Sequence, residues 1–214
     1  MISFPCSRAV PFASLYVYSP CAAGGAASAS RSLCALLKSG DGQSLRDHAL
    51  GVREHLEELP WLSQVLGADA TLVPVPGCAC SDPKRRCVAE GLAAELHRAG
   101  VGRDVWPALR RVRPVRRSAT AAPGRRPTVD VHFRSFTVDA AVTPPAHLVL
   151  VDDVITKGRT LLAAAARLTE AFPHCDIRAF ALLRTLGYAT RIEHLLDPCL
   201  GQIRWHHGDA RRTP

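Results

Sequence analysis

Apolar positions along the chain fall into two kinds of run. Leu15–Tyr18, Thr71–Val75, Leu148–Val151 and Ile177–Leu183 are short and almost uninterrupted. Such runs predict strands covered on both faces, as in a parallel sheet. Between them apolar residues recur at helical spacing. Leu33, Leu36 and Leu37 follow a cap at Ser30 or Ser32 and end near Gly40. A second helix is expected from about Leu45 to Leu59, stopped by Pro60. Val88, Leu92 and Leu96 follow an expected cap at Asp82 with Pro83 in the first turn, and Gly100 closes the element. Leu161, Leu162, Ala165, Leu168 and Phe172 define a helix over Thr160–Phe172.

Strand, loop, helix and strand in this order predict an α/β fold: a single domain, 1–214, with a mostly parallel central sheet flanked by helices. Pro20–Ser30, rich in Gly and Ala, is expected to be a loop, and the stretch after Asp209 a frayed end. Trp61, ahead of the Thr71 strand, reads as packing.

Residues 106–128 break the pattern with four prolines and seven arginines. Apart from a short strand at its start, this segment reads as mobile and cationic, with Phe133 and Phe136 re-anchoring the chain. It sharpens a general bias: the 214-residue chain has 27 basic and 19 acidic residues, a formal net charge of +8. From Arg103 to Arg134 nine arginines face only Asp104 and Asp130. Such a field attracts anions of any kind, from nucleic acid to phosphorylated metabolites. Trp106 is the sole aromatic between Arg103 and Arg126, so a base-stacking surface is not favoured; the bland reading is a solvated loop.

Hydrophobic residues make up 47% and charged residues 21%, an ordinary globular balance. No apolar run is long enough to span a bilayer, and the first residues lack a compact apolar segment behind a basic start, so a cytoplasmic location is expected. Eight scattered cysteines read as free buried thiols. Cys78, Cys80 and Cys87 lack the second close pair of a zinc site. No histidine is assigned a ligand role: His97 sits on a helix surface, His147 precedes a strand, and His206 and His207 lie in a loose tail.

The chemistry concentrates in "HLVLVDDVITKGRT", His147–Thr160. In an open parallel sheet, ligands bind beyond the C-terminal ends of strands, where Asp152 and Asp153 fall. Two adjacent acids cannot both point inward from a regular strand, so they are expected to flank a turn. Thr156–Thr160 then offers a glycine, two hydroxyls, successive backbone N–H groups and a helix start, which together form a phosphate nest. Lys157 and Arg159 would strengthen it from the rim. The acids suit sugar hydroxyls, or water on Mg²⁺. An acid pair on an apolar strand also occurs in ATPases, but the GxxxxGK[ST] loop is missing.

"VLVDDVITKGRTL" resembles the phosphoribosyl-pyrophosphate signature of type I phosphoribosyltransferases, departing at Lys157, where that family usually has a second Thr. "TLVPVPG" (Thr71–Gly77) followed by Lys84, and "LYVYS" followed by "LLKSGDG", are similar to the competence-associated amidophosphoribosyltransferase-like branch. The Arg-Gly-Phe-Asn-Gln run of that branch is mostly missing at Arg86–Glu90, and its four-cysteine module is absent. The likeness covers roughly residues 15–185, with variable segments on either side forming a small hood.

The resemblance implies a Mg²⁺-dependent enzyme, the metal carried mainly by phosphoribosyl pyrophosphate. It would transfer ribose 5-phosphate to a small nitrogenous acceptor and release pyrophosphate. Asp152 and Asp153 would hold the ribose hydroxyls beside the developing oxocarbenium. Val154, Ile155, Thr156, Lys157, Gly158, Arg159 and Thr160 would form the 5′-phosphate loop, and Val75, Pro76, Gly77 and Lys84 would receive pyrophosphate. Arg113 or Arg126, from a lid at 110–126 with Ser118 and Thr120, would add charge to the leaving group. The acceptor pocket would come from the N-terminal 30 residues and the region after Leu183, with Tyr188 and Arg191 nearby. A homodimer is common in the family. The alternative is a non-catalytic phosphoribosyl-pyrophosphate or nucleotide-binding regulator contacting nucleic acid, motivated by the altered motifs and the positive charge.

Overall fold

In the computed structural model, which describes residues 9–78, 87–116, 126–139, 145–187 and 189–214, the apolar runs lie side by side. In chain order the elements are β1 (Val10–Tyr18), α1 (Gly25–Ser39), α2 (Gly42–Glu58), α3 (Pro60–Val65), β2 (Thr71–Pro74), α4 (Val88–Arg98) and β3 (Asp104–Val105). Then come β4 (Leu109–Arg111), α5 (Val129–Ser135), β5 (Phe136–Val138), β6 (His147–Ile155), α6 (Arg159–Ala171), β7 (Asp176–Thr185), β8 (Leu196–His206) and β9 (Asp209–Thr213). Seven strands form one sheet in the order β3-β2-β6-β7-β1-β8-β9. The pairs from β3 through β1 are parallel, and β8 and β9 join antiparallel. The fold is thus α/β around a mostly parallel sheet, one domain with helices on both faces.

Strand β6 shows why its run carries no polar residue before Asp152. Leu148 and Leu150 pack into one core with Leu161, Leu162 and Leu168 of α6. Val149 and Val151 enter the opposite core with Leu37 of α1 and Leu92 and Leu96 of α4. Both edges are paired as well, Val149 to Leu72 on β2 and to Arg178 on β7. A strand covered on every side has no place for an unpaired polar group.

Several elements differ from the sequence expectation. Helix α1 begins at Gly25, inside the stretch expected as a loop, because Ala27 and Ser30 are buried on its inner face. Small residues weaken a hydrophobic pattern without preventing a helix. The cap of α4 is Cys87, in extended conformation, rather than Asp82; Asp82 and Pro83 lie outside the described residues. The short strand expected at the start of 106–128 is present as β4, which pairs antiparallel with β5, while Thr128 adds an unexpected cap on α5 through Val131 N–H. Trp61 and Phe133 pack against the cores, as expected, and Phe136 is buried.

The largest departure is the C-terminus. Residues after Asp209, expected to fray, form β9, and His206 is the last residue of β8. This hairpin lies along β1 and contributes Ile203, Trp205 and Ala210 to the α6-side core. Charged and polar residues alternate outward along it, which hides its inward apolar set from a search for continuous runs. Of the six described cysteines, Cys199 is buried and Cys21 is exposed, so the expectation of buried thiols holds unevenly. Among the described residues no helix is long and apolar enough to cross a membrane.

Gly201 reports on the hairpin contact. It pairs with Phe12, and a Cβ there would lie 2.5 Å from the Phe12 ring and against the Thr213 carbonyl. Gly201→Ala is therefore expected to cost about 1–3 kcal/mol in denaturant unfolding, the range for overpacking, with loss of amide protection concentrated in β9. Unchanged protection there would mean the hairpin does not rest on β1.

Candidate functional site

The site begins where the pairing of β6 runs out on one side. The last register partner of β2 on β6 is Val151, opposite Pro74, and Val75 N–H donates to the Val151 carbonyl at 2.9 Å. Asp152 to Ile155 continue beside β7 alone. Both acids therefore stand within the strand rather than around a turn, at its first half-open positions. With β2 ended, Asp153 N–H turns to Asp152 Oδ1 at 2.9 Å, and Val154 N–H to Asp153 Oδ1 at 2.8 Å. Adjacent acids are tolerated because they substitute for the missing strand.

Lys38, from the last turn of α1, ion-pairs with Asp153 Oδ2. Burial alone would lower the lysine's pKa, but the charge and hydrogen bond of Asp153 outweigh it, and the ammonium is held above its ordinary value. Asp152 moves the other way. Part of its surface reaches solvent, yet the protein packed around it, together with the charge of Asp153, pushes its pKa well above the carboxylate range. Of the pair's oxygens, Asp152 Oδ1 accepts from Asp153 N–H, Asp153 Oδ1 from Val154 N–H, and Asp153 Oδ2 meets Lys38. Lys38 was legible only indirectly. Among 27 basic residues there are three lysines, and Lys38, Lys84 and Lys157 all fall in segments that carry the family likeness. Lys84 lies outside the described residues.

The loop after β6 is short. Val154 and Ile155 point into the two cores, so they offer at most backbone groups, and the Ile155 carbonyl is taken by Arg212 Nη1 at 3.2 Å. Thr156 and Lys157 are exposed; Thr156 Oγ1 lies 3.4 Å from Thr185 Oγ1 on β7. Gly158 caps α6 in the left-handed conformation, φ 81°, and its carbonyl accepts from Leu162 N–H at 2.8 Å. Arg159 and Thr160 open the helix, whose first N–H groups have no helical acceptors. Gly158 is also needed for packing, since a Cβ there would lie 2.7 Å from Ile203.

The two rim cations share one carboxylate, that of Asp209. Arg159 donates Nε and Nη2 to the two oxygens of Asp209, at 2.5 and 2.6 Å, and Nη1 to the Pro127 carbonyl at 3.3 Å. Lys157 Nζ stands 3.6 Å from the same carboxylate. The hydrogen bond from Arg159 holds Asp209 below its ordinary pKa.

The expected pyrophosphate segment is poorer in donors than its sequence suggested. Val75 N–H is spent on β6 and Pro76 has none, leaving Gly77 N–H within Val75–Gly77. The Pro76 and Gly77 carbonyls both accept from Arg111 Nε at 3.0 Å, and that guanidinium stacks 4.2 Å over the Phe136 ring. Arg111 Nη2 lies 3.4 Å from Nδ1 of the buried His132. Burial, then the charges of Arg111 and Arg159, lower the His132 pKa to about 4. The ring is neutral at neutral pH, and its Nε2 is buried with no partner among the described residues. Neither residue was marked as a site residue from the sequence. No periodicity could have flagged them, since both are recruited from the arginine-rich segment and the short helix after it.

Arg113 and Arg126 are exposed, and neither pairs with a carboxylate among the described residues. Ser118, Thr120 and Tyr188 lie outside the described residues. The two segments expected to build an acceptor pocket do meet: Ala23 bridges Arg191, Ala23 N–H donates to the Thr190 carbonyl at 3.1 Å, and Ala22 and Ala27 pack with Ile192. Concavities of about 330 Å³, around Arg134, Phe136 and Arg167, and about 230 Å³, around Asp69, His147 and Arg178, lie away from the acid pair. No group of three metal-ligating side chains occurs among the described residues.

Comparison with known proteins finds no family model that matches the chain and no curated protein that matches it. The functional reading therefore rests on the site itself.

The raised pKa of Asp152 has a signed consequence. Between the ordinary carboxylate value and the raised one, the folded chain holds a proton that the unfolded chain has lost, so stability falls as pH rises through that window. Asp152→Asn removes this loss and keeps an acceptor for Asp153 N–H. The variant should be more stable than the parent at pH 7 by about 0.5–2 kcal/mol, and the gap should close as pH falls below about 4. Urea unfolding at the two pH values measures it; a gap independent of pH would contradict the assignment.

Proposed function

We propose that this chain is a type I phosphoribosyltransferase that transfers ribose 5-phosphate from phosphoribosyl pyrophosphate to a small nitrogenous acceptor and releases pyrophosphate. The observation that carries this reading is one continuous segment. Asp152 and Asp153 stand near the C-terminal end of a central parallel strand, and a left-handed Gly158 then delivers the chain into the N-terminus of α6. An acid edge beside a nest of helix N–H groups suits a ligand with hydroxyls in its middle and a phosphate at its end.

In this reading the N–H groups opening α6, with Thr156 and Thr160, anchor the 5′-phosphate and orient the carbon under attack. Asp152 Oδ2 meets the ribose hydroxyls. Asp153, the anionic partner of Lys38, is the carboxylate that would stand beside the carbon that becomes cationic as the glycosidic bond breaks. Arg113 and Arg126 flank the segment from which charge could reach the leaving group. With no three-ligand cluster among the described residues, and with Asp153 engaged by Lys38 and Val154 N–H, Mg²⁺ fits as an ion carried by pyrophosphate rather than caged by protein. When bound it supplies Lewis-acid neutralisation of the leaving group.

One observation favours a second reading, a regulator that binds phosphoribosyl pyrophosphate or a nucleotide without turnover. Within Val75–Gly77 a single N–H remains for pyrophosphate, and the Pro76 and Gly77 carbonyls are both held by Arg111.

Pyrophosphate release with Mg²⁺, screened against bases, amines and ammonia, separates the two. An enzyme should release pyrophosphate only when an acceptor is present, and Asp152→Asn with Asp153→Asn should lower kcat/KM by at least about a hundredfold. Undiminished activity in that double variant would exclude the catalytic assignment. Binding of phosphoribosyl pyrophosphate without release, or tight salt-dependent binding of oligonucleotide alone, would support the regulator.

A further inference from the structure

The two cations of the loop after β6 are both held by one acid that arrives from the far end of the chain. Asp209 grips Arg159 through the Nε–Nη2 fork at 2.5 and 2.6 Å and lies 3.6 Å from Lys157 Nζ. That fork presents two parallel N–H groups, and it fits a carboxylate and a phosphate equally well. The Arg159 and Asp209 side chains are 21% and 31% exposed, so a dissolved anion can reach the pair. Asp209 has one further tie, from Ala210 N–H to Oδ1 at 2.8 Å.

The hairpin that carries Asp209 is held to the site by other contacts. Ile203 is fully buried and fills the space above Gly158. Arg212 donates to the Ile155 carbonyl at 3.2 Å and to the Thr185 carbonyl at 2.7 Å. The pairs Gln202–Thr213, Arg204–Arg211 and His206–Asp209 hold β8 to β9. Rotation of the Asp209 side chain would therefore release both cations without unzipping the hairpin.

We infer that Asp209 is a built-in competitor for the phosphate group of the ligand, closing the loop's cations in the free protein and yielding them when a phosphate arrives. This deepens the proposed function and rests on its placement of the phosphate at this loop. The ligand's apparent affinity is then lowered by the fraction of molecules in which Asp209 holds the cations. Anion strength becomes the selective property: a phosphate dianion displaces the carboxylate, whereas a singly charged carboxylate ligand gains nothing over it.

The test is calorimetric titration of ribose 5-phosphate, and separately of inorganic phosphate, into the full chain. The variants are Asp209→Asn, Lys157→Ala with Arg159→Ala, and the three substitutions combined. Asp209→Asn should tighten both ligands by on the order of tenfold, and this gain should disappear in the background lacking the two cations. Unchanged or weaker binding in Asp209→Asn, or the same gain without the cations, would overturn the inference and leave Asp209 as a structural tie. Hydrogen exchange of β9 amides, with Asp209→Ser as a second variant, checks that the hairpin stays formed; loss of β9 protection in both would equally overturn it. The underlying reading fails differently. If ribose 5-phosphate binds no less tightly when Asp152 and Asp153 are both asparagine, the ribose assignment falls, while a tighter grip on inorganic phosphate in Asp209→Asn still stands.

Discussion

Everything at the site follows from the enclosure of β6. From Leu148 to Val151 the strand is paired on both edges and packed on both faces, and its residues are accordingly aliphatic. Val151 is where β2 ends and the strand first gains a free edge. Asp152 is the next residue, and its carboxylate takes the N–H that β2 no longer serves. The hydrophobic run thus fixes where the acids begin, and the end of a neighbouring strand fixes what they do with their oxygens. Ligands collect at such strand ends for the same reason: backbone groups and polar side chains emerge there beside a core that holds them rigid.

A second theme is self-neutralisation. Lys38 answers Asp153, Asp209 answers Arg159 and Lys157, and Asp152 takes up a proton more readily than a free carboxylate. Charges gathered at one strand end repel or are starved of solvent. Internal partners from α1 and β9 offset that cost, and in the proposed reading each is displaced or shared when a ligand binds. Arg111 likewise takes the Pro76 and Gly77 carbonyls and helps keep His132 neutral, its Nε2 buried without a partner among the described residues.

The candidate site was legible in the sequence to the extent that it is local. Asp152, Asp153, Gly158 and Thr160 sit on one strand–loop–helix segment, and their types and spacing can be read without a fold. Lys157 and Arg159 invite a ligand-facing reading for the same local reason, but their shared contact with Asp209 could not be read locally. The acceptor-side segments illustrate the middle case. That residues before Ser30 and after Leu183 might share a wall was a guess about topology, and the Ala23–Arg191 bridge supplies the contact.

What the sequence determined alone was the sheet's central strands, most of the helices and the position of the acid pair, because period and run length are properties of consecutive residues. Tertiary structure decided the partners. The short alternating segment after Leu196 carries no long apolar run, and it becomes β8 and β9 only because β1 offers an open edge and α6 offers apolar surface to cover. Lys38 and Asp153, or Arg159 and Asp209, meet across long stretches of chain through sheet order and curvature. Charge pairing of that kind leaves no periodic trace, since any of the chain's many arginines could have met any acid until the backbone path was fixed.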